Sequence, residues 1–157
     1  MAVEFSPQAE KKFEETLERY PNKEAVLLPV LHLAQQEFGV LSDEVLEYVA
    51  GLLALPPSRV KSVASFYTLF NIKEVGRYVI RVCYTLPCAL NGAEEVMEHI
   101  KKRLNIEVGE TTPDKKFTLL GCECLGSCNT APVMQINDRH YENLSLEKID
   151  QILDSLE

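Results

Sequence analysis

The hydrophobic pattern of this chain changes its period once, near residue 75, and that single switch commits it to two kinds of layer. Up to about residue 72 the apolar residues recur only at helical spacing. Ala9, Phe13, Leu17 and Tyr20 form one stripe; Leu27, Leu31, Ala34 and Phe38 a second; Val45, Val49 and Leu52 a third; Val60, Val63, Tyr67 and Phe70 a fourth. Punctuation agrees: Ser6-Pro7 opens the first helix, Pro21-Asn22 separates it from the second, Gly39 closes the second, Ser42 caps the third and Pro56-Pro57 opens the fourth. Pro29 falls inside the second stripe, where it removes a backbone donor and predicts a kink or a later helix start. Phe66, Tyr67 and Phe70 read most simply as core of this helical half, with an exposed partner surface as the alternative.

From Tyr78 the wording is different. "YVIRVC" is short, β-branched and aromatic, which predicts a strand, and "KEVGR" before it marks a boundary. Asn91 with Glu94 three residues later resembles a capping box, and Ala93, Val96, Ile100 and Leu104 give the stripe of the helix that follows, closed by the basic triplet Lys101-Lys102-Arg103. "FTLLGCEC" predicts a second strand, ending at Cys124. "PVMQI" and "HYENL" predict two more around Asn137-Asp138-Arg139, and Ser145 caps a last helix carrying Leu146, Ile149, Leu153 and Leu156. The order β-α-β-β-β-α, with the first two strands parallel through a right-handed crossover, is a thioredoxin-like topology. The expected class is α+β, with residues 1–74 a four-helix bundle-like domain and residues 75–157 the thioredoxin-like domain.

A net charge of −8 gives no electrostatic footprint for nucleic acid. No stretch approaches the roughly 18 uninterrupted apolar residues of a membrane helix, so direct membrane insertion is not expected. The opening "MAVEFSPQAEKKFEE" has neither a basic nor an apolar leader segment, so secretion is not expected either. Five cysteines without that context argue for metal or redox chemistry before a disulfide framework.

Four of the five sulfurs make a constellation. Cys83 ends the first strand, Cys88 lies just before the helix, and Cys124 and Cys128 lie at and beyond the end of the second strand, so the pattern is C-x4-C, 35 residues, C-x3-C. If the two strands are adjacent and parallel, both loops leave the same edge of the sheet and the four thiolates converge. Structural zinc sites of four cysteines usually show two-residue gaps. Gaps of four and three suit a larger group, a 2Fe–2S cluster whose two irons each take two thiolates, with Gly126 and Ser127 supplying loop N–H groups. Cys88 before a helix N-terminus also suits a cluster carrying negative charge. Cys122 is left over, read most simply as a small buried strand residue, with an exchange of roles with Cys124 as the alternative. His32, His99 and His140 have no ligand spacing and read as packing or surface. No Ser-His-Asp set, Walker loop or GxGxxG is present, so a nucleotide site on this chain is not expected. A zinc-stabilised interaction module remains a competing reading, and a thiol-disulfide enzyme is disfavoured because it lacks the C-x-x-C pair at a helix start.

"CYTLPC", "CECLGSCNTAPVMQIND", "VASFYTLFN" and "LLPVLHLAQQEFG" together resemble the family of the small 2Fe–2S subunit of NADH:quinone oxidoreductase, respiratory complex I, from about Leu17 to the C-terminus. The resemblance implies one 2Fe–2S cluster, with Cys83 and Cys88 on one iron and Cys124 and Cys128 on the other, and leaves Cys122 outside the motif. It implies no catalytic residue on this chain. FMN and NADH are expected on a flavoprotein partner within a larger respiratory complex, with which this chain exchanges single electrons, in the cytoplasm on the inner face of a bacterial membrane. An all-cysteine cluster of this kind implies a low potential, roughly −400 mV. Equivalent small subunits of NAD-linked or bifurcating hydrogenases and of NAD-dependent formate dehydrogenases share the pattern.

Overall fold

The computed structural model describes residues 3–156. The chain divides into two compact units, Met1–Glu74 and Val75–Glu157.

The first unit is four helices: α1 (Pro7–Leu17), α2 (Leu27–Phe38), α3 (Asp43–Leu53) and α4 (Pro57–Phe66). Three of the four starts have a local reason. Ser6 accepts from Ala9 N–H ahead of Pro7, Ser42 accepts from Val45 N–H, and Pro57 supplies the first position of α4. α2 starts at Leu27, the first residue of the second stripe, so the later start expected from Pro29 is not observed: Pro29 is the third residue of the helix, where its missing N–H would have had no helical partner. Gly39, at φ 78°, ends α2. The core is built from Ala9, Phe13, Val30, Leu31, Val49, Leu53 and Val60, closed at one end by Phe5. The Phe5 ring stacks on Phe38 at 5.8 Å and meets Tyr48 edge-on at 5.2 Å. Ser42→Ala is expected to destabilise this unit by about 1 kcal/mol through the lost cap, read from a denaturant midpoint at unchanged slope.

One expectation fails here. The fourth stripe runs to Phe70, but α4 stops at Phe66 and Tyr67 turns extended. The backbone beyond it finds partners in α2: Gln35 Nε2 donates to Leu69 O at 3.1 Å and Gln35 Oε1 accepts from Asn71 N–H. Phe70 is buried beside the His32 ring, whereas Phe66 is 77% exposed and Tyr67 38%. Of the three aromatics read as core, only Phe70 is core.

The second unit holds β1 (Tyr78–Cys83), α5 (Leu86–Leu90), α6 (Ala93–Leu104), β2 (Phe117–Cys122), a 3-10 turn over Cys128–Thr130, β3 (Met134–Ile136), β4 (Arg139–Tyr141) and α7 (Leu146–Asp154). The sheet order is β2-β1-β3-β4. β1 and β2 are parallel, in register from Tyr78 opposite Phe117 to Cys83 opposite Cys122, while β3 and β4 add antiparallel. Ile80, Val82 and Leu119 pack with Val96 and Ile100 of α6 and Ile149 of α7. Asn137, at φ 51°, turns the β3–β4 hairpin, and Ser145 caps α7 by accepting from Lys148 N–H. Thus the α+β class and the thioredoxin-like order are observed.

Two local expectations are corrected. Asn91 does not cap α6: the N-cap is Gly92, and Asn91 Nδ2 instead donates to Pro87 O, closing the extra short helix α5. Strand β2 ends at Cys122, not Cys124, so the chain leaves the sheet one pleat earlier than expected. Among the described residues no helix is long and apolar enough to cross a membrane.

Candidate metal centre

Parallel pairing makes β1 and β2 end together, so the segments carrying all five cysteines leave one edge of the sheet. Cys83 is the last residue of β1, buried, with its N–H on Val133 O at 3.1 Å. Its sulfur lies 3.3 Å from Thr85 Oγ1 and also receives the backbone N–H groups of Thr85 and Leu125. Burial alone would raise its pKa, but these hydrogen bonds together with the Cys88 thiol outweigh burial and hold it below the usual thiol value. Cys88 is also buried and bonds to Cys83. Burial and the neighbouring sulfurs push its thiol up, against the Val133 N–H that points at it.

Cys88 lies within α5, a five-residue helix, instead of just before the long one. The partial positive charge expected there is supplied by the single Val133 N–H. Cys124 and Cys128 stand on the exposed loop beyond β2 with their sulfurs 3.9 Å apart. Gly126, at φ +79°, bends the three-residue bridge so that its N–H donates to Cys124 Sγ at 3.3 Å. The hydrogen bond and charge of Cys124 raise the Cys128 thiol, and Cys83 adds to the effect. Cys128 in turn acts on Cys88, so the four groups feel one another across the two loops.

Cys122 is different. It closes β2, buried opposite Cys83, and burial pushes its thiol up to about 11, with Cys83 adding to the rise and Arg81 opposing it. It therefore matches its reading as a buried strand residue. Of the histidines, His32 packs on Phe70 and His99 bonds Asp150 at 2.9 Å, well apart in sequence from the cysteine loops.

Cys83 with Cys88, and Cys124 with Cys128, make two pairs. Among the described residues, no three His, Cys, Asp or Glu side chains converge to hold one ion. A four-cysteine zinc site needs all four sulfurs about 2.3 Å from a single centre. A 2Fe–2S cluster needs two pairs and N–H donors around an anionic sulfur shell, and Thr85, Leu125, Gly126 and Val133 aim four such donors at three of the sulfurs. The residues present fit the cluster. Sequence reasoning anticipated Gly126 but missed Thr85, Leu125 and Val133, because a backbone donor is set by loop shape and not by side-chain type.

A thioredoxin-like sheet that gathers paired thiols and N–H donors at one strand edge defines an iron–sulfur electron carrier. A family model for the thioredoxin-like [2Fe-2S] ferredoxins matches residues 13–157, and the chain belongs to that family. It is 48% identical over 147 residues to the E subunit of the NADH-quinone oxidoreductase of Rickettsia conorii, covering 92% of this chain and 88% of that protein. It is 41% identical over 145 residues to the E 2 subunit of the NADH-quinone oxidoreductase of Rhizobium meliloti, covering 92% and 86%. Among solved structures, an air-oxidised NAD+-reducing [NiFe]-hydrogenase superposes with a TM-score of 0.73 at 26% identity, over 83% of this chain but only 22% of that one.

Proposed function

We propose that this chain is the electron-transfer subunit of an NADH:quinone oxidoreductase, holding one 2Fe–2S cluster through Cys83 and Cys88 on one iron and Cys124 and Cys128 on the other. The observation that carries the reading is the arrangement of four thiols as two pairs with four N–H donors at one sheet edge, in a chain of this family. Bound there, such a cluster accepts and returns one electron at a time. The chain's own contribution is to hold the thiolates, to favour their charge with N–H groups, and to leave one side open. Cys83 and Cys88 are buried, while Cys124 and Cys128 are exposed, so the second pair faces the medium. No group on this chain is needed to move a proton.

The electron's source is then a flavoprotein that binds FMN and NADH, with this chain peripheral on the cytoplasmic side of the membrane as part of the larger complex. The relatives named as parts of NADH-quinone oxidoreductases, which match over most of their own length, support the host. The hydrogenase likeness favours a second host, an NAD-linked hydrogenase, because it extends over 83% of this chain.

The test is elemental and spectroscopic. The purified chain should contain iron and acid-labile sulfide in equal amounts, two of each, and give a paramagnetic signal only after one-electron reduction. Zinc without sulfide would sink the proposal in favour of a metal-stabilised interaction module. Native co-purification separates the hosts: a flavoprotein with quinone-reducing activity supports the first, nickel in the complex the second.

A further inference from the structure

Behind the sulfurs, one side-chain contact ties the two cysteine-bearing segments to each other. Tyr84 directly follows Cys83, and Glu123 directly precedes Cys124. Tyr84 Oη donates to Glu123 Oε1 at 2.7 Å, a bond between residues 39 apart in sequence. The backbone repeats the tie, with Tyr84 N–H on Cys122 O at 3.2 Å. Gly121 makes the seat: a Cβ there would meet Cδ1 and Cε1 of the Tyr84 ring at 3.1 Å.

Pleating puts Cys83 and Cys122, which are in register, on one face, and Val82 and Gly121 on the other. Gly121 also faces Met97 of α6, so the Tyr84 ring lies on the helix side of the sheet, across from the Cys83 sulfur. The bond between ring and carboxylate thus spans the two segments without occupying the space between the thiols. It is also charge-assisted, the stronger kind of hydrogen bond, which an incidental surface contact need not be.

We propose that Tyr84 and Glu123 are a positioning pair for the cluster site: the bond sets the spacing between the Cys83 and Cys124 segments, and the carboxylate lowers the potential of the bound group. The inference rests on the ligand set proposed above. The sign follows from charge. Reduction adds an electron, so a fixed negative charge one residue from a thiolate disfavours the reduced form, and removing that charge raises the potential.

The experiment uses the cluster-loaded chain and two substitutions read in two ways. Glu123→Gln keeps an oxygen for Tyr84 to donate to but removes the charge; its redox equilibrium, followed by paramagnetic titration, should shift at least about threefold toward the reduced form, which is about 28 mV for one electron. Its cluster release to a chelator should rise less than that of Tyr84→Phe, because the amide oxygen still accepts from Tyr84 Oη but without charge assistance. Tyr84→Phe keeps the ring on Gly121 but loses the donor, and should release iron to the chelator at least about threefold faster. A purely structural contact would speed release in both variants and move the potential in neither, and that pattern overturns the proposal, as does an unchanged potential in Glu123→Gln or an unchanged release in Tyr84→Phe. If the unsubstituted chain itself carries no iron and sulfide, the reading of the site fails instead, which the same elemental analysis reveals before any variant is made.

Discussion

Cys124→Ser is expected to lose its cluster while Cys122→Ser keeps it, although the two sulfurs are only two residues apart. The reason lies in where β2 ends. Cys122 is its last residue, buried with Cys83, Cys88 and Val133. Cys124 is past the sheet on the exposed loop, with its sulfur 3.9 Å from Cys128 and under the Gly126 N–H. Serine at 124 replaces a thiolate by a poor iron ligand and breaks the second pair. Even changes that only support a metal ligand cost about 10–100-fold in affinity, so removal of a proposed ligand should cost at least about 100-fold. Serine at 122 places a hydroxyl at a buried position where burial already dominates over the nearby Arg81 charge, at a cost of about 1–3 kcal/mol in stability. Iron and sulfide per chain, with the reduced-state paramagnetic signal, read the pair of variants. Loss of the cluster from Cys122→Ser and its retention in Cys124→Ser would exchange the two roles.

The second large effect is on folding. Gly76→Ala should lower stability by about 2–4 kcal/mol, since a Cβ at this position meets the carbonyl carbons of Lys116 and Phe117 and the Phe117 nitrogen, each at 2.9 Å. All three are backbone atoms, so no rotamer change relieves the contact. The same residue donates its N–H to Thr118 Oγ1 at 2.6 Å, and the next two N–H groups, of Arg77 and Tyr78, pair with Lys115 O and Lys116 O. Displacing Gly76 therefore disturbs the start of the parallel ladder whose other end aligns Cys83 with Cys122. At about 2–4 °C per kcal/mol for a chain of this size, the thermal midpoint should fall roughly 4–16 °C. Gly51→Ala is the control: it lies in α3 with nothing within 4 Å of a new Cβ, and alanine there should be neutral or stabilising by up to about 1 kcal/mol. Equal losses in both variants would refute the argument from backbone contact.

The local signals were sound wherever a residue acts on its immediate neighbours. Ser6, Ser42 and Ser145 cap the helices expected of them, and Gly39 and Asn137 take the positive φ that ends a helix or turns a hairpin. They misled where two local partners competed. Asn91 had the spacing of a capping box, but the carbonyl of Pro87 claimed its side chain because α5, too short to show a period, had already formed upstream. Tyr67 and Phe70 continued the helical spacing of Val60 and Val63, but α4 ends at Phe66 and Gln35 takes the backbone groups of Leu69 and Asn71, so Phe70 is buried while Phe66 and Tyr67, also read as core, are exposed.

What the amino-acid sequence determined by itself is the change from a 3.6 to a 2.0 period, the β-α-β-β-β-α order and the cysteine spacing. Those are properties of short segments, legible because the side-chain direction repeats with the backbone. Only the tertiary structure decided which sulfurs face which. Parallel register carries Cys83 and Cys122 to the same edge, the early end of β2 sends Cys124 outward while Cys122 stays buried, and the loops then bring the N–H groups of Leu125 and Val133 to Cys83 and Cys88. Backbone donors look alike in any sequence, and a bond such as Tyr84 to Glu123 joins residues 39 apart, so neither exists until the strands have paired.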